Sequence, residues 1–292
     1  MIKTGVETGV LGCGLVRPTS GITITKNIYT RYSDLDAKVF LYTSTATGNQ
    51  TKDAIYTLVK DLKMAGIWDR CIAIYPFVGG TAITFRPNLM SPSQYPLTFN
   101  GGNTYSATGY LPNGTNGFAN TGINANARLT QNNSHLSFYS RTNNSTNGGC
   151  SIGAITGGSG SYSSPLLSIQ AKNASTNLAI AQNGTGAAAE TANFTNTDGR
   201  GFYVNSKTSS AIGGLSIYKN GVAQASNTVA VSVNTYPNKN ILIGAFDAVG
   251  SVFAPDNKEC AFASVGLSLT AAQIAIYYTI VNNFQIAMDR NV

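Results

Sequence analysis

A long run of short β-type segments, separated by turn-forming residues, occupies the chain from about residue 95 to residue 267. The clearest segments alternate apolar and polar residues and lie at 135–141, 166–172, 214–220, 240–246 and 259–265. Clusters of Gly, Asn, Ser and Pro separate them at spacings typical of a sandwich. Asn220-Gly221 supplies the two positive φ angles that a type I′ hairpin turn needs. No fixed-period repeat is visible, which disfavours solenoids and propellers. We therefore predict a mainly β fold, an antiparallel β-sandwich.

Two amphipathic segments predict helices on either side of this region. Residues 51–65 place apolar side chains on one face, with Thr51 as the N-cap and Gly66 after the last turn. Residues 270–289 begin with Thr270 and Gln273, which match a capping box. The apolar stripe of the second helix predicts that it packs on the sandwich or on the first helix. It comprises Ile274, Tyr277, Val281, Phe284 and Met288.

The N-terminal 48 residues are rich in Gly and Thr, and residues 37–44 (AKVFLYTS) are interpreted as a strand. We expect residues 1–48 to form an arm that either packs on its own domain or docks on a partner, and residues 49–292 to form the sandwich domain with its flanking helices. The first residues contain no uninterrupted apolar stretch, because Gly breaks it repeatedly, so we expect no signal peptide. No stretch is long enough to span a membrane, and we expect no membrane insertion.

Charged residues make up only 11% of the chain, against about 25% in typical soluble domains. Coiled coils need dense Glu, Lys and Arg and are excluded, while 42% hydrophobic and 10% aromatic residues exclude bulk disorder. The net charge is +7, but Lys and Arg are scattered singly along the chain. Nucleic-acid binding needs a clustered basic stripe, so we expect no nucleic-acid partner.

No Asp or Glu occurs between Asp69 and Glu190, which argues against acid–base catalysis in the first half of the sandwich. Glycoside hydrolysis needs two carboxylates that face each other across the sugar, and a calcium site needs several carboxylates close together. His135 is the one histidine, it begins a predicted strand, and no GxSxG elbow accompanies it. We interpret it as an ordinary strand-end histidine. We predict no catalytic residues, no metal site, no cofactor and no enzymatic activity.

The four cysteines, Cys13, Cys71, Cys150 and Cys260, lie far apart, with no CxxC pair and no nearby histidine. A zinc site is therefore disfavoured. The three cysteines outside the N-terminal arm lie in apolar stretches, and we interpret them as buried free thiols.

Asn and Tyr side chains on loops give the best candidates for a ligand site. Amides hydrogen-bond sugar hydroxyls, and aromatic rings stack on sugar faces. The candidate ligand-binding residues are Tyr105, Tyr110, Asn113, Asn116 and Tyr162. The alternative, that each is a turn former or an edge aromatic, stays open.

Several segments resemble a family of phage virion proteins of the tail-fibre or head-fibre type. The C-terminus (260–292, CAFASVGLSLTAAQIAIYYTIVNNFQIAMDRNV) and residues 58–80 (LVKDLKMAGIWDRCIAIYPFVGG) resemble the ending and the helix–strand lead-in of these proteins. GYLPNGTNGFANTGIN (109–124), HLSFYSRTN (135–143) and LSIYKNGV (215–222) resemble strands of their concanavalin A-like, laminin-G-like jelly-roll domain. Met288-Asp289 stands where the family usually has Leu-Gly.

The resemblance implies a jelly-roll sandwich in a virion structural protein, made in the bacterial cytoplasm and located in the particle. Its implied partners are other virion proteins, through the N-terminal arm, and host-surface polysaccharide. A homo-oligomer, first of all a trimer, is expected. Two alternatives remain: a purely structural head decoration without a ligand, and a polysaccharide-degrading enzyme on the same fold.

Overall fold

Two antiparallel β-sheets packed face to face, with helices over the outer side of one of them, make up the fold. The computed structural model describes residues 33–143, 149–157, 165–184, 191–230, 235–248 and 251–292. The helices are α1 (Leu35–Ser44), α2 (Asn49–Met64), α3 (Ala82–Phe85), α4 (Ala125–Arg128) and α5 (Ala271–Ala287), with a 3₁₀ turn at Trp68–Arg70. None of the helices in these ranges has the length and apolar character required to cross a membrane.

The eight-stranded sheet carries the helices on its outer face. Its strands run in the order β13 (Val222–Ser226), β12 (Leu215–Lys219), β11 (Gly201–Lys207), β6 (Ser134–Ser140), β17 (Cys260–Gly266), β4 (Gly109–Pro112) and β3 (Asn103–Ser106), and β1 (Cys71–Tyr75) pairs with β17.

The seven-stranded sheet forms the other layer. Its order is β10 (Thr191–Thr195), β9 (Leu178–Gly184), β8 (Leu166–Gln170), β7 (Ile152–Ile155), β14 (Asn240–Ile243), β5 (Phe118–Asn124) and β2 (Thr98–Asn100). A separate hairpin, β15 (Phe246–Ala248) and β16 (Ser251–Phe253), follows β14. This antiparallel jelly-roll sandwich with helices before and after it confirms the predicted fold class.

The main core lies between the sheets and is built from alternate residues of each strand, as the period-2 pattern requires. Tyr75, Tyr110, Phe138 and Tyr203 are fully or almost fully buried there. A second core lies between the eight-stranded sheet and the helices, where the Tyr277 ring meets Phe202 edge-on at 5.2 Å. The central strands of the eight-stranded sheet, β11, β6 and β17, are therefore buried on both faces.

Residues 37–44 form most of helix α1, so the predicted strand is wrong. The Asp34 carboxylate accepts hydrogen bonds from the backbone N–H groups of Asp36 and Ala37 and caps the helix. Apolar side chains lie on two opposite faces of this segment. The strand prediction failed because a short, continuous apolar run fits a strand as well as a helix. Phe40 and Ala46 pack into the helix-side core. The domain boundary at residue 48 stays a prediction, and residues 1–32 lie outside the described residues.

The two amphipathic helices occur where their patterns predict them. The capping box of Thr270 and Gln273 is confirmed at the start of α5, and α5 packs on α2 and the sheet. Helix α2 begins two residues earlier than predicted, after Gly48, and Thr51 lies buried inside it rather than at its N-cap. Gly66 follows α2 at φ 65°, as predicted.

The hairpin between β12 and β13 also forms as predicted, with Asn220 at φ 50° and Gly221 at φ 79°. Cys71, Cys150 and Cys260 are buried free thiols, which confirms the interpretation of these three residues. Burial raises the pKa of the Cys71 thiol to about 12, so it is unreactive at neutral pH. Cys13 lies outside the described residues.

The residue after the C-cap of α5 is Asp289, at φ 55°, a left-handed conformation that favours glycine. We expect Asp289→Gly to raise the free energy of unfolding by about 0.5–1 kcal/mol, because it removes the steric cost of a Cβ at this φ. The gain is reduced by loss of the exposed hydrogen bond from Gln50. Urea unfolding measures the change.

Asp289→Ala is the matched control for this prediction. It removes the same hydrogen bond but keeps a Cβ, so it should lower the free energy of unfolding. Equal effects of the two variants would contradict the left-handed strain at this position.

Candidate functional site

The structure brings four of the predicted ligand-binding residues to one end of the sandwich. Tyr105 and Tyr110 are directly paired across β3 and β4. Tyr110 is fully buried, and its hydroxyl donates to Asn103 Oδ1 at 2.8 Å. Tyr105 is half-buried, with its ring edge-on to Phe99 at 5.1 Å. Tyr110 is thus a core residue without surface for a ligand, while Tyr105 keeps an accessible part.

The side chains of Asn113 and Asn116 organise the exposed loop after β4. Asn113 Oδ1 accepts hydrogen bonds from the backbone N–H groups of Thr115, Asn116 and Gly117. Asn113 Nδ2 donates to Asn116 Oδ1 at 2.9 Å. Both amides therefore act as turn formers in the chain itself, and their role in ligand binding stays a prediction. Tyr162, the fifth candidate, lies outside the described residues.

A different site lies on the outer face of the seven-stranded sheet, where the β15–β16 hairpin folds over it. The Phe246 ring lies above Gly153 so closely that a Cβ on this glycine would come within 2.9 Å of it. Phe246 packs there with Cys150, Ile155 and Leu166 in a small third core. The glycine in β7 therefore allows the hairpin to lie flat on the sheet.

Between this hairpin and the sheet lies a cleft of about 200 Å³, here called the hairpin cleft. It is lined by residues from β5, β14 and the hairpin: Phe118, Asn120, Leu242, Phe246, Asp247, Ser251 and Val252.

Strand register explains how these residues meet. Asn120 is paired with Leu242, so both point to the same face, and Phe118 shares that face because it lies two residues before Asn120. On the hairpin, Asp247 is paired with Val252. Phe118 and Asn120 are half-buried and Ser251 is exposed, which leaves their side chains accessible from solvent.

The cleft combines an aromatic edge with polar groups of different kinds. The Asp247 carboxylate lies 3.3 Å from Lys239 Nζ and is about one-third exposed. Asn120 Oδ1 accepts from the backbone N–H of Gly122 at 2.8 Å, which fixes the amide group. A carboxylate, an amide and a hydroxyl beside a phenyl ring suit a small polyhydroxylated ligand, whose hydroxyls donate and accept and whose C–H faces contact the ring.

Sequence reasoning did not select these residues, but two weak signals were present. Phe118 and Asn120 alternate with small residues at the start of a strand, directly after the loop of Asn113 and Asn116. Asp247 appears as an isolated carboxylate in GAFDAVG, and only the hairpin brings it to β5.

His135 lies at the start of β6, as predicted, and it is fully buried there beneath α5. Its Nδ1 lies 2.6 Å from the Leu267 carbonyl oxygen, and its Nε2 lies 2.9 Å from Ser264 Oγ. Nδ1–H therefore donates to the carbonyl, and Nε2 accepts from the serine. Tyr277 in turn donates to Ser264 Oγ at 2.8 Å. A substrate has no access to this network, which holds β6, β17 and α5 together.

The other carboxylates that the structure describes do not gather into an ion site. In the ranges that the structure describes, no group of three or more His, Cys, Asp or Glu side chains is placed to hold a metal. The buried carboxylate of Asp256 accepts from Lys258 Nζ at 2.9 Å and from Ser151 Oγ at 2.7 Å, so its charge is already compensated.

The structure thus defines a mainly β protein, an antiparallel β-sandwich with a small polar cleft on one sheet. No protein-family model matches the sequence, and no curated protein matches it. Among solved structures, the chain is similar to domain 4 of AbnA, a GH43 extracellular arabinanase from Geobacillus stearothermophilus, in complex with arabinotriose. The identity is 14% and the TM-score 0.51, over 70% of this chain and 97% of the arabinanase domain.

Two further similarities are weaker. Botulinum neurotoxin type C, which depends on interaction with two ganglioside molecules to enter cells, matches at 14% identity and a TM-score of 0.48. That match covers 75% of this chain and 53% of the toxin chain. A Trypanosoma rangeli sialidase matches at 12% identity and a TM-score of 0.45, over 78% of this chain and 39% of the sialidase.

Proposed function

We propose that this protein binds glycans in the hairpin cleft. The observation that carries the proposal is the grouping of Phe118, Asn120 and Asp247 on the outer face of a sandwich sheet, in a cleft that solvent reaches. An aromatic ring beside an amide and a carboxylate provides both the apolar and the hydrogen-bonding contacts of a sugar ring. The arabinanase domain, which shares the fold and holds arabinotriose, supports the proposal by analogy of fold.

We further propose binding without hydrolysis. Glycoside hydrolysis needs a second carboxyl group across the scissile bond, at about 5–10 Å from the first. Asp247 is the one carboxylate among the residues that line the cleft, and it is paired with Lys239. In this proposal the Asp247 carboxylate accepts hydrogen bonds from ligand hydroxyls.

We propose that the glycan belongs to a host surface and that the protein is a phage virion component of the fibre or surface type. The resemblance of five sequence segments to phage virion proteins supports this. Residues 1–48 are the proposed docking arm for other virion proteins, with α1 of the arm packed on the domain. Mass spectrometry of purified particles is the test: presence of the chain supports the proposal, and absence from the particle overturns it.

The binding site is tested with two probes, arabinotriose and an array of bacterial surface glycans, using the full chain. We expect a glycan that binds the wild-type protein to bind Asp247→Asn and Asn120→Ala at least about tenfold more weakly. The first variant replaces a charged acceptor oxygen with an amide NH2 group, and the second removes the amide, each in a partly desolvated site. Isothermal titration calorimetry measures the dissociation constants.

The matched control is Asn193→Ala, an exposed amide of the edge strand β10 on the same sheet. It should bind like the wild type. If no glycan binds, or if the cleft variants bind as tightly as Asn193→Ala, glycan recognition by the hairpin cleft is wrong.

A further inference from the structure

A groove of about 300 Å³, here called the helix groove, lies where helices α2 and α5 meet. Its floor is apolar and is formed by Ala54, Leu58, Ile280 and Phe284. These four side chains also belong to the helix-side core. The helix groove therefore offers apolar contact on the side of the protein that faces away from the hairpin cleft.

The α2 wall of the helix groove is acidic. Asp53, Thr57 and Asp61 line it and recur at every fourth residue, so they form one row along α2. The α5 wall contributes Asn283 and Ala287, which carry no charge. No lysine or arginine is among the described residues that line this groove. Its electrostatic field therefore favours a segment that is basic as well as apolar.

The chain enters the described part of the structure beside the helix groove. Thr57 also lines a second groove, together with Tyr56 and with Ser33, the first residue that the structure describes. The segment that precedes Ser33 is therefore tethered next to the acidic row. A short tether gives a segment an effective concentration in the millimolar range, so that even weak contacts hold it.

The composition of residues 22–32 (ITITKNIYTRY) complements the helix groove. These residues lie outside the described part, but their sequence contains two cations, Lys26 and Arg31, and no Asp or Glu. Its apolar side chains include Ile22, Ile24 and Ile28. The segment thus combines positive charge for the acidic wall with apolar surface for the floor.

The spacing of the charges also matches. Asp53 and Asp61 are eight residues apart on α2, which is about 12 Å along the helix axis. About four residues of extended chain span this distance. Lys26 and Arg31 are five residues apart, so both can reach the acidic row at the same time.

We propose that residues 22–32 dock in the helix groove of their own chain, with Lys26 and Arg31 against the carboxylates of Asp53 and Asp61. Docking of this segment does not depend on glycan binding, since the hairpin cleft lies on the other sheet. It assigns this part of the arm to the domain and leaves the residues before it for contacts with other virion proteins.

Limited proteolysis of the full chain with trypsin tests the docking, because trypsin cleaves after lysine and arginine. We expect cleavage after Lys26 and Arg31 to be about three- to tenfold faster in the double variant Asp53→Asn/Asp61→Asn than in the wild type. The variant loses two surface ion pairs, and the cleavage rate follows the population of the undocked segment. Mass spectrometry identifies the positions of cleavage.

The matched control is Asp69→Asn, which neutralises an exposed carboxylate outside the helix groove. It should be cleaved as slowly as the wild type. Equal rates for the double variant and the wild type, or the same acceleration by Asp69→Asn, overturn the proposal. An equal acceleration after Lys219 in β12 also overturns it, because the whole fold would then have loosened.

Dilution separates docking within one chain from docking between copies. Protection by the segment's own groove is independent of protein concentration, because the tether fixes the effective concentration. Protection by a second copy falls as the protein is diluted. We expect the same cleavage rate across a hundredfold range of protein concentration. A rate that rises on dilution overturns docking within the same chain.

Discussion

Replacement of Arg290 by alanine is expected to lower the free energy of unfolding by about 3–5 kcal/mol, the cost of leaving several buried acceptors unpaired. The Arg290 guanidinium is buried and donates to the carbonyl oxygens of Pro76 and Phe77, each at 2.6 Å. It also donates to the Ala261 carbonyl at 3.0 Å and to Gln285 Oε1 at 2.7 Å. When the side chain is removed, a cavity remains, the carbonyl oxygens of Pro76 and Phe77 and Gln285 Oε1 lose their donor, and the Ala261 carbonyl keeps only the long hydrogen bond from Gln285 Nε2 at 3.5 Å.

The effect is large because this one side chain joins the C-terminus to two distant parts of the fold. Pro76 follows β1, and Ala261 lies in β17, so the guanidinium ties the end of the chain to the centre of the eight-stranded sheet. Burial, which takes the charge out of water, and to a smaller extent the nearby positive charge of Arg141 lower the pKa of Arg290 to about 9. The group still carries its proton at neutral pH.

Urea unfolding followed by the fluorescence of Trp68, the one tryptophan, measures the loss. Arg200→Ala is the matched control, since Arg200 forms an exposed ion pair with Asp198 at 2.8 Å. Such pairs contribute about 1 kcal/mol or less. A loss for Arg290→Ala that is no larger than the loss for Arg200→Ala would show that the buried network does not stabilise the fold.

The buried histidine predicts a loss of stability in mild acid. Burial lowers the pKa of His135 to about 4, against about 6.5 in the unfolded chain. Between these pH values the unfolded chain binds a proton that the folded protein excludes. The contribution of His135 to the free energy of unfolding is therefore fully present above about pH 6.5. It is lost as the pH is lowered toward 4, which reduces the free energy of unfolding by about 3 kcal/mol. Unfolding by urea at a series of pH values measures it.

His135→Asn separates this contribution from that of the carboxylates. The Asn amide can still donate to the Leu267 carbonyl, as His135 Nδ1 does, but it does not titrate. We expect the variant to be less stable than the wild type at neutral pH and to lose less stability between pH 6.5 and 4. If both proteins lose the same amount, proton uptake by His135 does not contribute to acid unfolding.

Much of the fold was predictable because its signals are local. The period-2 segments became strands, the Asn220-Gly221 pair formed its turn, and the capping box of Thr270 and Gln273 started α5. In each case the residues that carry the signal are neighbours in the chain. The resemblance to phage virion proteins led to the same sandwich, and it pointed to the position of Asp289, where the left-handed backbone explains the usual glycine of the family.

The candidate site was less predictable, since its residues come from distant segments. From the sequence, Tyr110 was predicted to bind a ligand because exposed and buried aromatic residues near turns have the same sequence pattern. The packing of the two sheets buries this side chain. No sequence pattern relates Phe118 to Asp247. The two residues meet in one cleft only because the β15–β16 hairpin folds over the sheet.

The sequence by itself determined the class of the fold, because strand alternation, turn residues and helix caps are interactions between near neighbours. Only the tertiary structure decided that residues 37–44 form a helix, since their apolar pattern suits either element and the capping carboxylate of Asp34 and the helix-side core select one. The tertiary structure also decided which polar groups are enclosed, as with His135 and Arg290, and which remain open to a ligand, as with Asp247. Burial depends on contacts between residues far apart in the chain, and these form only when the sheets and helices pack.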